Sequence, residues 1–195
     1  MKKPLCNLLR ALAFIAACAC IVVFGTTLIK HGYKQYYRAV YPLHYADEIT
    51  TAAEEFDVPP SLIYAIVYTE SRFNPQAISS AGAKGLMQLT DTTLEWALQR
   101  ADEADKHAPE ELFDPAINIH YGVYVLTLLE EQFESTETIL AAYNAGIGRV
   151  NEWLKDPAYS DDGVQLKAIP YQETADYVRR VRETQKFYQN LYSIP

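Results

Sequence analysis

The chain has 195 residues, 49% of them apolar, which is enough for one domain with a sizeable core. Its net charge of −8 is unevenly spread: residues 1–38 hold six Lys/Arg and no acid, so the remaining 11 basic and 25 acidic residues leave −14 on the rest of the chain. A domain that acidic repels a phosphate backbone, which argues against nucleic acid as a partner, and the four histidines show no metal-ligand spacing.

Residues 1–10 are basic (Lys2, Lys3, Arg10), and residues 11–29 then run without a charge. At about 1.5 Å per helical residue those 19 positions reach close to the hydrocarbon thickness of a bilayer, so the pattern predicts a single transmembrane helix that anchors the chain. Two other readings are a cleaved signal peptide and lipidation at Cys18, after Ile15-Ala16-Ala17. The apolar run is longer than a signal peptide usually carries, and it continues well beyond Cys18. All three cysteines (Cys6, Cys18, Cys20) lie here, so the globular part needs no disulfide to fold outside the cell. Residues 30–42 form a linker. Its tract Tyr33-Lys34-Gln35-Tyr36-Tyr37-Arg38 has the aromatic and basic character of a membrane interface.

From residue 43 to 195 the periodicity is helical throughout. Tyr45, Ile49, Ala52, Ala53 and Phe56 make one stripe, which ends at Asp57-Val58-Pro59-Pro60. The next helix opens at Pro60 or Ser61 and carries Leu62, Ile63, Ile66 and Val67 inward, with Glu70 continuing that stripe. Asp91 is expected to cap a helix with Leu94, Ala97 and Leu98, and residues 101–112 read as an acidic loop. Asp114-Pro115 starts a longer helix, Thr136 to Ala145 forms another that Gly146 ends, and residues 156–168 are a polar connection. The last helix spans about Tyr171 to Tyr192, with Tyr177, Val178, Val181, Phe187, Tyr188 and Leu191 inward. No segment alternates as a strand, so the predicted fold is all-α, with seven helices after the anchor.

Glu70 is the candidate for chemistry. A lone glutamate near a helix end is ordinarily a solvated charge, but this one lies on an apolar stripe, where burial would raise its pKa. A raised pKa is what a general acid needs to hold its proton near neutral pH. The 18 residues that follow are rich in turn formers and small polar groups, the usual surroundings of a site beside a helix end. No second acid is paired with it by a motif.

Four ordered stretches carry a resemblance. Glu70-Ser71-Arg72-Phe73-Asn74-Pro75, with Ala77, Ser79, Gly82-Ala83 and Gly85-Leu86-Met87-Gln88, resemble the first two motifs of the soluble-lytic-transglycosylase-like family. Ala142-Tyr143-Asn144-Ala145-Gly146 resembles its third motif. Ile169-Pro170-Tyr171-Gln172-Glu173-Thr174, followed by Tyr177-Val178, resembles its last. The resemblance covers roughly residues 43–192 and implies a lysozyme-like, mainly helical fold. It implies cleavage of the β-1,4 bond between N-acetylmuramic acid and N-acetylglucosamine in peptidoglycan, with the muramoyl C6 hydroxyl closing on its own C1 to give a 1,6-anhydro end. Glu70 then matches the one catalytic acid and base, and the substrate's acetamido group replaces a second carboxylate. Ser79, Met87, Gln88, Tyr143, Asn144, Glu173 and Tyr177 match substrate-binding or cleft positions, and no metal or cofactor is implied. The resulting expectation is a catalytic domain at 43–195, held on the outer face of a bacterial membrane and acting on peptidoglycan strands. A muramidase that uses water, as goose-type lysozymes do, and a peptidoglycan-binding module without catalysis are the alternatives.

Overall fold

The computed structural model describes the backbone of residues 3–103 and 106–195, with the side chains of Phe14 and of residue 19 onward in those ranges. The chain divides into two compact units, one ending at Pro42 and one spanning Leu43–Pro195.

The first unit is the helix α1 (Lys3–Val40). The expected membrane span at 11–29 falls within it, and most side chains in the first half of that span lie outside the described residues. Ile21, Val22, Val23, Phe24, Leu28 and Ile29 are all exposed. Among the described residues, no helix is long and apolar enough to cross a membrane. Toward the end of α1, Tyr33, Tyr37 and Tyr41 recur at every fourth position and so share one face. Their ring centroids are 4.3 Å and 6.4 Å apart in succession.

The second unit is helical, and no strand occurs among its described residues, so the all-α expectation is borne out. Its helices are α2 (Ala46–Phe56), α3 (Pro60–Ser71), α4 (Asp91–Arg100), α5 (Pro115–Glu130), α6 (Thr136–Ala145), α7 (Ile147–Leu154) and α8 (Gln172–Tyr192). Two of them are buried on nearly every side. In α3 every residue from Ser61 to Tyr68 is buried, and α5 buries Ile119, Tyr121, Val123, Val125, Leu126, Leu128 and Leu129. A helix apolar all round belongs in the middle of a domain, with amphipathic helices around it. Accordingly α5 packs on α2, α4 and α6, while α3 packs on α2 and α8, and α6 bridges α5 to α8. Each large apolar side chain enclosed in this way contributes about 1.5–3 kcal/mol.

The structure differs from the sequence expectation at three element boundaries and in the burial of one side chain. The cap of α4 is Thr90, whose hydroxyl accepts from the Thr93 amide, rather than Asp91. Asp91 instead takes the first helical position and pairs with Lys84 at 2.7 Å, which suits a carboxylate at a helix N-terminus. Residues Pro109–Phe113 form a 3-10 turn within the acidic stretch, closed by the Glu111 carboxylate accepting from the Ala108 amide at 2.8 Å. Gly146, at φ 90°, ends α6 and also starts α7, a helix too short to announce itself by periodicity. Phe187 is half-buried; Thr184 and Gln185 occupy the inward face of α8 in its neighbourhood.

Candidate active site

The site is assembled on the last turn of α3. Glu70 is half-buried there, and loss of solvation drives its carboxyl up to about 7. Two groups on α8 oppose that rise, the Tyr177 hydroxyl first and the Arg180 charge second. Tyr177 is 2% exposed, and its hydroxyl has no hydrogen bond of ordinary geometry although it bears on Glu70. Tyr143, from α6, faces Glu70 as well, and burial together with the Glu70 charge holds its hydroxyl far above the usual phenol range. One carboxyl group thus sits between two tyrosines and one arginine. Among the described residues no other acid acts on its ionisation.

Beyond Glu70 the backbone turns sharply. Arg72 and Phe73 both adopt left-handed conformations, at φ 52° and 62°, which side-chain-bearing residues rarely do in succession. Strain of that kind persists only where surrounding contacts over-determine it. The buried Phe73 ring is that contact: it lies among the rings of His44, Tyr45, Tyr64 and Tyr68, with centroids 5.4 to 6.5 Å away. The Arg72 guanidinium lies 3.9 Å over the Tyr68 ring.

Residues 74–90 then form a wall without regular secondary structure, and hydrogen bonds hold it closed. Ser71 donates to the Leu86 carbonyl at 2.8 Å, tying the wall to α3. Gln88 donates from Nε2 to the carbonyls of Gly85 (2.9 Å) and Ala77 (3.2 Å), tying its two ends together. Ser79 accepts from the Ala83 amide at 3.0 Å. Tyr143 donates to the Met87 carbonyl at 2.8 Å, tying the wall to α6. The wall also rests on α5 through Asn118, a wholly buried polar side chain. Its Nδ2 donates to Leu112 O (2.8 Å) and Lys84 O (3.0 Å), and its Oδ1 accepts from the Met87 amide at 2.7 Å. Gly85 lets this happen: a Cβ there would fall 2.2 Å from Leu112 O and 2.3 Å from Asn118 Nδ2.

The residues singled out in the sequence therefore divide. Glu70, Tyr143 and Tyr177 come together as one electrostatic group, while Ser79 and Gln88 belong to the wall. Asn144 is exposed, beside Tyr143 at the end of α6. Glu173 is exposed in the first turn of α8, one helical turn before Tyr177. Met87 is wholly buried, its sulphur against Gly122 of α5, where a Cβ would fall 2.4 Å from it. A side chain with no exposed surface cannot line a cleft, so Met87 supports the wall from behind and offers its backbone to Tyr143. The sequence reading missed Asn118 and Arg180. An amide on the apolar face of α5 was a visible signal for the first, but nothing local distinguishes Arg180 from its neighbours Arg179 and Arg182.

This arrangement has counterparts. The family model "Transglycosylase SLT domain" matches residues 47–165. A soluble lytic murein transglycosylase from Salmonella typhimurium is 35% identical over 152 residues, covering 77% of this chain and 24% of its own length. A membrane-bound lytic murein transglycosylase C from Histophilus somni is 30% identical over 174 residues, covering 77% of this chain and 47% of its own. The crystal structure of the 70 kDa soluble lytic transglycosylase from Escherichia coli superposes with a TM-score of 0.68 at 31% identity, over 78% of this chain and 25% of that one. The chain thus spans about a quarter of the length of the soluble relatives and about half that of the membrane-bound one. With the model matched over most of the second unit and the helical architecture shared, the chain belongs to the transglycosylase SLT domain family.

Proposed function

We propose that the chain is a peptidoglycan lytic transglycosylase, with Glu70 as its one catalytic residue. The observation that carries this reading is a single half-buried carboxyl group with a pKa of about 7, beside the Tyr143 and Tyr177 rings and with no second carboxylate acting on it among the described residues. A two-carboxylate glycosidase needs an acid plus a nucleophile or a base for water. One carboxyl group suffices if the sugar supplies the rest. Protonated Glu70 gives its proton to the glycosidic oxygen, and the N-acetylglucosamine side leaves as an alcohol. Positive charge at muramoyl C1 is shared with the oxygen of the 2-acetamido group. The Glu70 carboxylate then takes the C6 hydroxyl proton as that oxygen bonds to C1, which closes the 1,6-anhydro ring and returns Glu70 to its protonated form. No water is consumed. A group that must donate and then accept works best with a pKa near the working pH.

Tyr177 and Tyr143 support both halves of this cycle. The unsatisfied Tyr177 hydroxyl is poised to donate to Glu70 while it is ionised, and Tyr143, whose own proton goes to the Met87 carbonyl, holds the wall in place beside it. Ser79, Gln88, Asn144 and Glu173 are assigned to sugar binding along the cleft, Gln88 through its Oε1 because its amide nitrogen is engaged in the wall.

The apolar run at 11–29 is assigned as an anchor that holds the acidic domain on the outer face of the membrane. Its exposed Ile21, Val22, Val23, Phe24, Leu28 and Ile29 are better accommodated in lipid than in water. Mass spectrometry of the muropeptides released from purified peptidoglycan tests the chemistry. The expected products carry 1,6-anhydro-N-acetylmuramic acid ends. Reducing-end N-acetylmuramic acid would instead identify a hydrolase.

A further inference from the structure

Arg180 lies one turn beyond Tyr177 on α8. At 100° per residue, Glu173, Tyr177, Arg180 and Thr184 fall within about 60° of one another, along one edge of the buried stripe. Tyr177 and Thr184 are buried there, while Glu173 and Arg180 are exposed. The helix is fixed in register against α3: Gln185 reaches Ser61 at 3.5 Å, and the rings of Tyr188 and Tyr64 stack with centroids 5.1 Å apart. The chain end after α8 lies at the start of α3, where the Pro195 carbonyl accepts from the Ser61 amide at 3.1 Å, and Tyr188 also reaches the Tyr68 ring at 6.4 Å, so the earlier Tyr177–Arg180 edge lies toward the end of α3 that carries Glu70. The other arginines of α8 are engaged. Arg179 pairs with Asp176 at 2.6 Å, and Arg182 pairs with Glu137 at 3.1 Å while donating to Gln185 at 2.6 Å. Arg180 makes no ion pair and no hydrogen bond among the described residues. The cation of the opposite wall, Lys84, is already paired with Asp91. An exposed, unpaired guanidinium beside the acid of an acidic domain is the natural seat for an anionic part of a substrate.

Resting on the glycan-cleaving reading above, we propose that Arg180 is a substrate-binding residue that receives a carboxylate of the glycan strand, so that the cleft favours carboxylate-bearing strands. Two carboxylates of the strand have the right chemistry: the lactyl carboxylate of a muramic acid without its peptide, and a carboxylate of the attached peptide. The same contact couples binding to acid strength. The groups facing Glu70 are Tyr177 and Arg180 from α8 and Tyr143 from α6, and Arg180 is the one cation among them. Its charge favours ionised Glu70. A carboxylate paired with it cancels part of that field, so Glu70 holds its proton to higher pH when the right strand is bound.

The test compares the wild-type chain with Arg180→Gln and Arg180→Lys on three substrates. These are strands with peptides, strands stripped to the free lactyl carboxylate by an amidase, and strands whose carboxylates are capped as methylamides. On carboxylate-bearing strands, Arg180→Gln is expected to lose about tenfold in kcat/KM, with Arg180→Lys recovering part of the loss. On capped strands the three proteins should be nearly equal. A loss confined to peptide-bearing strands identifies a peptide carboxylate as the ligand, a loss confined to stripped strands identifies the lactyl group, and a loss on both shows that Arg180 accepts either carboxylate. The alkaline limb of the wild-type profile should lie at higher pH on carboxylate-bearing strands than on capped ones, and in Arg180→Gln the two limbs should coincide. An equal loss on capped and uncapped strands overturns the proposal. A wild-type chain inert on all three strands removes the glycan-cleaving reading, and this proposal with it.

Discussion

The two sides of Glu70 use their polar groups in opposite ways. In and behind the wall at 74–90, the hydroxyls of Ser71, Ser79 and Tyr143 and the amides of Gln88 and Asn118 all serve internal hydrogen bonds. On α8, the Tyr177 hydroxyl is buried without a satisfied bond and Arg180 is exposed without a partner among the described residues. The difference teaches where shape is kept and where chemistry is left open. An irregular segment has no helix or sheet ladder to satisfy its backbone, so its own side chains and those of α3, α5 and α6 behind it must do so, which leaves only part of their polar capacity for a substrate. A helix satisfies its own backbone, which leaves its side chains available to a substrate.

Glu70→Gln is the sharpest probe of that division. It should cut turnover by about a thousandfold or more, read as muropeptide release, because the amide can neither give nor take the proton. It should also stabilise the fold at alkaline pH. Burial raises the Glu70 carboxyl to about 7, so the folded chain binds its proton more tightly than the unfolded chain does. Stability is therefore full below the unfolded value and declines as pH rises toward and through 7, by roughly 3 kcal/mol in all. The variant should lack that decline, so the gap between the two proteins in chemical denaturation should be absent at pH 4 and widest above pH 8. Wild-type activity should fall on the same limb, above about pH 7.

Asn118→Ala tests the wall. It deprives the buried Met87 amide and Leu112 carbonyl of their Asn118 partner, while the Lys84 carbonyl keeps the Leu89 amide at 3.1 Å. A loss of about 3–4 kcal/mol is expected in thermal or urea unfolding. An unchanged midpoint would show that the wall stands without Asn118.

The two tyrosines set the sides against each other directly. Tyr177→Phe should lower kcat about tenfold with stability unchanged or slightly raised, because it removes a hydroxyl that has no satisfied bond in the resting fold. Tyr143→Phe should lower stability by about 1 kcal/mol, because it deprives the Met87 carbonyl of its donor. If both substitutions destabilise equally and spare kcat equally, the contrast between the two sides is wrong.

Much of this was legible in the sequence because the deciding forces are local. Apolar positions at helical spacing fixed where α2, α3, α5 and α8 run, and a carboxylate on the apolar stripe of α3 marked Glu70 before any contact was known. Proline and glycine placed most ends for steric reasons. The exceptions were short or competitive: α7 spans only eight residues, and Thr90 and Asp91 were neighbouring candidates for one cap. Tertiary structure decided which side of each residue mattered. Met87 and Gln88 are adjacent in one motif, yet packing against Gly122 turns Met87 into the core while Gln88 stitches the wall. Asn118 became the support of that wall only because Gly85 leaves room for it. The partners of Glu70 lie more than 70 residues away, on α6 and α8, and three arginines that read alike were separated only by what each one meets. Periodicity states which face of a helix is buried. What that face meets depends on the other helices, and that is settled only when all of them pack at once.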